Sequence, residues 1–199
     1  DNADDGLTYK QRRELERKKG ADKAAEGWSA AHVRSDAVLD GTADRLGVSK
    51  GDVLDVKGNL SSGDAAVRLA LGETRVLVEN REWFRERGVD LDALVSKQSA
   101  KSIKGKQLKE KKAVAKRSIT KILVKNLPYD ATEDELSKLF HSIGGIGGGD
   151  GPDEVQMPPS RTAALVVYRH RTDAKRAFRK LAYRRFKTVP LYLEWAPVW

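Results

Sequence analysis

The sequence predicts an α+β fold: a βαββαβ domain over residues 118–199, preceded by an extended helical region. Three observations carry this. Short runs rich in Val, Ile, Leu and Tyr concentrate after residue 118, where they alternate with two amphipathic stretches. Residues 1–95 instead show helical spacing with few apolar positions. Hydrophobic residues make up 39% of the 199 and charged residues 34%, enough for one packed domain with much solvated helix or linker beside it.

Residues 7–19, LTYKQRRELERKK, predict an exposed helix with Glu14 and Lys18 as a favourable i,i+4 pair. Such a helix is marginal alone and is expected to be ordered by a partner surface. Residues 35–46 predict a second helix, with Ser35 as N-cap, Val38, Leu39 and Leu46 at helical spacing, and Gly47 as the stop. A further short helix is expected from Ser49. Residues 62–87 give the longest pattern, with Val67, Leu71, Val78 and Trp83-Phe84 as its apolar face and Gly88 at its end. Gly72 weakens its middle by ~1 kcal/mol relative to Ala. VDLDAL follows as a turn or short helix. Trp83-Phe84 reads as a core or partner contact rather than a stacking site. These helices are too few and too polar for an independent core, so residues 1–95 are expected to form an adaptor that packs onto something else.

Charge divides the chain the same way. Residues 1–95 hold 16 basic and 19 acidic residues, residues 96–117 hold 9 and 1, and residues 118–199 hold 13 and 9, which together give +9. The segment 96–117 is therefore a basic connector, suited to a polyanion, to a role as solvated linker or to nuclear localisation.

In the C-terminal domain, ITKILVKNLP is a strand ended by Pro128. Thr132 and Glu135 form a capping box for a helix that buries Leu136, Leu139, Phe140 and Ile143. A Gly-rich loop, the strand EVQM, a Pro158-Pro159 turn and the buried strand TAALVVY follow. TDAKRAFRKLAY is a helix with Ala174, Ala177, Phe178 and Leu181 on one side, and PLYLEWA is the last strand.

That order, with ILVKNL (122–127) and RTAALVVY (161–168) as first and third strands, resembles the ferredoxin-like RNA recognition motif over about 80 residues. Such domains stack bases on sheet aromatics. Strand alternation puts Leu123, Ala163 and Leu165 at the three platform positions, and none is aromatic. Stacking is worth ~1–3 kcal/mol per base, so the usual binding mode is stripped of several kcal/mol. The same face carries Lys121, Lys125, Arg161, Val167, Tyr192 and Glu194, with Tyr192 the one aromatic replacement, while Trp195 is expected in the core with Leu191 and Leu193. Two readings stay open: weak RNA binding by the sheet, or an aliphatic face covered by protein such as the preceding helices. The second helix and its exit add Arg169, Arg171, Lys175, Arg176, Arg179, Lys180, Arg184, Arg185 and Lys187 against Asp173 alone, a phosphate-binding composition without sequence choice. The candidate RNA-binding residues are thus Lys121, Leu123, Lys125, Asn126, Arg161, Ala163, Leu165, Tyr192, Arg176, Arg179, Lys180, Arg184, Arg185 and Lys187.

ILVKNLPYDATEDELSKLF, QMPPSRTAALVVY and KLAYRRFKTVPLYLEWAP are similar to a central motif of the multiple RNA-binding domain protein family of eukaryotic pre-ribosomal RNA processing factors. DAVLDGTADRLGVSKGDVLD and AAVRLALGETRVLVENREWFRERGVDLDAL resemble the linker before it, whereas the Gly-rich insert 144–151 is not a family feature. The resemblance implies a nucleolar assembly factor of the small-subunit processome (90S pre-ribosome). It would bind pre-rRNA, support 18S maturation beside snoRNP and other processome proteins, and act as scaffold rather than catalyst. The chain opens on Asp1 without a start Met, the expectation for an internal fragment.

Other chemistries find little support. No Cys is present, which excludes disulfides and thiol catalysis. No apolar run approaches a membrane span of ~20 residues, and no signal peptide opens the chain. The glycines after residue 143 follow a helix and lack a Gly-Lys-Ser/Thr, so they read as a loop rather than a phosphate cradle. His32, His141 and His170 lack metal-ligand spacing. Glu133, Asp134 and Glu135 suit a helix first turn rather than catalysis, and no nucleophile–base pair stands out. No enzyme activity, cofactor, metal or small-molecule substrate is expected.

Overall fold

Pairing of the first strand with two neighbours organises the C-terminal domain. The protein was analysed as a computed structural model, which describes residues 8–9, 11–13, 16, 33–54, 62–93, 116–144 and 150–199. The predicted connector up to residue 115, the glycines 145–149 and the Ile143 side chain lie outside the described residues.

Strand β1 (Lys116–Lys125) pairs antiparallel with β3 (Ala163–Val167) on one side and β6 (Tyr192–Val198) on the other. β2 (Glu154–Gln156) pairs with β3, so the sheet order is β2-β3-β1-β6. The register sets Leu123 opposite Leu165 and Glu194, and Lys125 opposite Ala163 and Tyr192. A register shift between Arg117 and Ile122 breaks the β1–β6 ladder into two parts.

Helices α4 (Glu133–Gly144) and α5 (Arg171–Leu181) cover one face of this sheet. Helix α4 starts where the capping box places it: Thr132 N–H donates to Glu135 Oε2 at 3.1 Å, and Glu135 N–H to Thr132 Oγ1 at 3.3 Å. Ile122, Val124, Ala164, Val166 and Leu193 from the strands meet Leu136, Phe140, Ala177, Phe178 and Leu181 from the helices, all buried. Each large side chain removed from water here stabilises the fold by about 1.5–3 kcal/mol. A two-stranded ribbon, β4 (Arg185–Phe186) with β5 (Val189–Pro190), was not foreseen. Its turn holds Lys187 at φ +52° instead of a glycine, so no turn signature marks it.

The N-terminal region contributes α1 (Ser35–Leu46), α2 (Lys50–Val53) and α3 (Ser62–Glu86). Helix α1 ends at Gly47, whose φ of +64° suits the left-handed cap. Its N-cap is Arg34 and not the expected Ser35, and no side chain caps it. Ser49 does cap α2, reciprocally with Asp52. Of the described residues of the first predicted helix, Tyr9, Gln11–Arg13 and Glu16 are helical and Thr8 is not, and all are exposed. Helices α1 and α3 cross at Gly72, where a Cβ would come within 2.6 Å of Thr42 Oγ1, so the glycine that weakens α3 also permits this approach. Arg45 Nη2 reaches Glu79 Oε2 at 2.6 Å across the same crossing. No described helix is long and apolar enough to cross a membrane.

The face of α3 corrects the sequence reading. Val67, Leu71 and Val78 are 57%, 64% and 44% exposed, while Val76, Asn80 and Phe84 are buried. These three recur at i, i+4 and i+8, a stripe whose polar middle member hid it from an apolar count.

Candidate nucleic-acid interface

The platform face of the sheet is occupied by the chain itself. Phe84, at 0% exposure, and Val89 pack with Leu123, Ala163, Leu165 and Ala196, and Trp83, Leu91 and Val167 close the rim. Trp83 meets Phe84 edge-on at 4.8 Å, and the Arg87 guanidinium lies 3.6 Å above the Trp83 ring. Of the two readings left open by the sequence, the covering by preceding helices is the arrangement found.

Polar bonds fix the position of that cover. Asn80 Nδ2 donates to Thr162 Oγ1 at 2.9 Å, and the Ser160 hydroxyl donates to Asn80 Oδ1, all three residues being buried. Arg87 Nε donates to Gln156 Oε1 on β2 at 2.7 Å, and Lys121 Nζ to the Arg87 carbonyl at 3.1 Å. Beyond the helix, Asp90 N–H donates to the Pro197 carbonyl at 2.9 Å. Every one of these bonds joins the adaptor to a strand or strand-flanking residue, so the contact has one register.

The sequence-predicted site residues therefore separate into groups. Leu123, Ala163 and Leu165 are buried under α3, and a base cannot stack on them in this arrangement. Lys125 is 5% exposed and Glu194 2%, with Lys125 Nζ 2.7 Å from Glu194 Oε2, and Arg117 Nη1 holds the other carboxylate oxygen at 2.8 Å. Lys125 is thus neutralised inside the protein. Lys121 is half-buried on the Arg87 carbonyl, and Asn126, at φ +66°, donates to the Pro190 carbonyl at 2.8 Å. These residues were expected to face RNA and instead hold the cover and the strand ends.

Tyr192 is half-buried and meets Tyr183 edge-on at 5.7 Å. Arg161 stays exposed, 5.5 Å from the Tyr129 ring centre. Tyr129 donates its hydroxyl to Asp44 of α1 at 2.9 Å. Burial, followed by that bond, raises the Tyr129 pKa above the ordinary tyrosine value.

The basic helix and its exit remain on the surface. Arg179, Lys180, Arg184 and Arg185 are exposed. Arg176 pairs with Asp173 at 3.3 Å. Lys187 reaches Glu135 at 2.8 Å and Asp130 at 3.0 Å, so its charge is spent on the start of α4. Its bond to Lys187 is the main cause holding the Glu135 carboxyl below the ordinary range. The structure thus leaves Arg179, Lys180, Arg184 and Arg185 on the surface, while Lys121 and Lys125 of β1 are engaged and Arg161 stays exposed.

Fold and site together define an RNA recognition motif whose sheet face is roofed by its own N-terminal helix. Residues 122–192 match the RNA recognition motif family. The chain as a whole is homologous to multiple RNA-binding domain-containing protein 1. It is 42% identical to that protein of Mycosarcoma maydis over 96% of this chain and 20% of the relative. Identity to the Schizosaccharomyces pombe protein is 38% over the same shares. For the Dictyostelium discoideum protein it is 36% over 87% of this chain and 16% of the relative. The chain spans about a fifth of the length of the curated relatives it matches. The similarity includes the adaptor and not the sheet domain alone, as the chain coverage requires.

Proposed function

We propose that this chain is an RNA-binding module of a small-subunit-processome (90S pre-ribosome) assembly factor. In this reading it binds pre-ribosomal RNA in the nucleolus and supports pre-rRNA processing and 18S rRNA maturation beside snoRNP and other processome proteins. Homology to multiple RNA-binding domain-containing proteins supports RNA as the ligand. The observation that carries the mode of binding is the segregation of charge: on the platform face Lys125 is neutralised and Lys121 is engaged, leaving Arg161 as its exposed cation, while Arg179, Lys180, Arg184 and Arg185 stay exposed on α5 and its exit. Phosphate contacts of that type give affinity with little sequence choice. Weak modules of this kind gain avidity when linked in one chain.

The test is RNA binding by the full 199-residue chain across a salt series. Affinity should fall steeply as salt rises, and Arg184→Glu with Arg185→Glu should flatten the slope by about 2. No binding at low salt would sink the reading. Crosslinking in cells then names the RNA segment.

A second reading is favoured by the roof itself: the motif is a protein-interaction scaffold whose sheet binds a helix. Under it, Leu123→Asp and Leu165→Asp detach the adaptor while RNA binding survives. Unchanged protection of α3 in both variants would remove this alternative.

A further inference from the structure

With the sheet roofed, an aromatic ring on the other side takes on interest. Trp195 lies on β6, half-buried, and stacks on Phe178 of α5 with ring centroids 4.8 Å apart and planes 8° apart. It also lines a groove of about 400 Å³ between the start of β1 and α5. The volume is within the range of small-ligand sites, about 300–1,000 Å³.

Among the described residues, the walls of this groove carry four cations and no acid: Arg117, Arg171, Lys175 and Arg179. The last three are four residues apart, so they form one stripe on α5 at intervals of about 6 Å. Arg117 is fixed by Glu194 and by the Trp195 carbonyl, which it reaches at 2.8 Å. Ile119, 55% exposed, completes the apolar part of the lining. The register shift in the β1–β6 ladder falls between Arg117 and Ile122, beside this groove.

We propose that this groove is a nucleotide site for single-stranded RNA, with one base laid against Trp195 and the adjoining phosphates on the Arg171–Lys175–Arg179 stripe. It rests on the RNA-binding reading above and adds a stacking platform to it. The charge fits a polyanion, and the aromatic fits a base, whereas an acidic protein segment would use the cations and have no need of the indole. Neither half of the site is on the platform face, so binding there is compatible with a docked α3.

The experiment uses the full chain with a uridylate 10-mer as the RNA and inorganic polyphosphate and polyglutamate as anions without bases. Trp195→Leu should weaken uridylate binding about tenfold and leave both anions unaffected, and Trp195→Phe should restore most of the loss. Arg171→Glu with Lys175→Glu and Arg179→Glu, all on the helix surface, should weaken uridylate and polyphosphate alike. A 4-thiouridine oligomer should crosslink to residues 116–119 or 195, which holds the proposal open to failure even if Trp195→Leu misfolds. Crosslinks on Tyr192 or Arg161 in their place overturn it. So does equal loss on all three probes with Trp195→Leu, or tighter binding of polyglutamate than of RNA. If uridylate fails to bind wild type at low salt, the broader RNA-binding reading falls; if it binds and the groove variants change nothing, the groove alone falls.

Discussion

The two faces of the sheet bury their residues by different means. The face under α4 and α5 is mostly apolar, with Ile122, Val124, Ala164 and Val166 at 0% exposure and the helices supplying Phe140 and Phe178. The face under α3 has a small apolar centre around Phe84, Leu123 and Leu165, surrounded by Asn80–Thr162, Arg87–Gln156 and Lys125–Glu194. The first resembles the interior of any small domain. The second resembles an interface, with an apolar core and a bonded polar rim. The difference teaches that the adaptor is docked on a prebuilt sheet rather than woven into its core.

The largest expected effect separates the two faces directly. Phe140→Ala should destabilise the chain by about 3–5 kcal/mol and lower protection of β1, β3 and both helices together. Phe84→Ala removes as large a ring, yet in hydrogen exchange it should release α3 while β1 and β3 stay protected. Equal loss of protection in all elements would erase the distinction between core and interface.

Glu194→Ala comes next. It leaves Lys125 buried without its carboxylate and should cost about 3–5 kcal/mol in urea denaturation. Lys125→Met with Glu194→Leu should recover most of that loss, because it removes the buried ammonium together with its carboxylate while Arg117 keeps the Trp195 carbonyl. A double variant as unstable as the single one would contradict this.

Asn80→Ala should cost about 1–3 kcal/mol, since Ser160 and Thr162 lose the partner that α3 brings them. The loss belongs to docking, so the midpoint of adaptor release should shift more than that of the sheet domain. Smallest is the effect of acid on the α1–α3 contact. The Arg45 guanidinium beside Glu79 holds its carboxyl below its ordinary value of 4.5. The pair's contribution is therefore complete above about pH 4.5 and is lost as pH falls through the lower folded value. At partial exposure it amounts to at most about 1 kcal/mol. A pH titration of wild type against Glu79→Gln isolates it.

Much of the C-terminal fold was legible because local signals agree with tertiary ones. Thr132-x-x-Glu135 caps α4 through its own side chains, and period-two and period-3.6 patterns name the faces of β1, β3 and α5. The candidate site was legible only in composition. Leu123, Ala163 and Leu165 announced a sheet without stacking aromatics, but the sequence could not say what covers them. Asn80 was overlooked because a polar residue in a helical stripe reads as a surface position until its partners, 80 and 82 residues away, are placed beside it. Trp195 was expected in the core, and Phe178 does cover one face, yet the ring also borders a groove.

The sequence by itself determined the class of fold, the order of its elements, the separation of acidic and basic regions, and a platform without aromatics. These depend on periodicity, capping and charge counts, which act over a few residues. Only the tertiary structure decided which face is closed, which cations are neutralised and which remain on the surface. Those outcomes depend on contacts between positions far apart in the chain, such as Lys125 with Glu194 and Phe84 with Leu123, which local sequence signals do not encode.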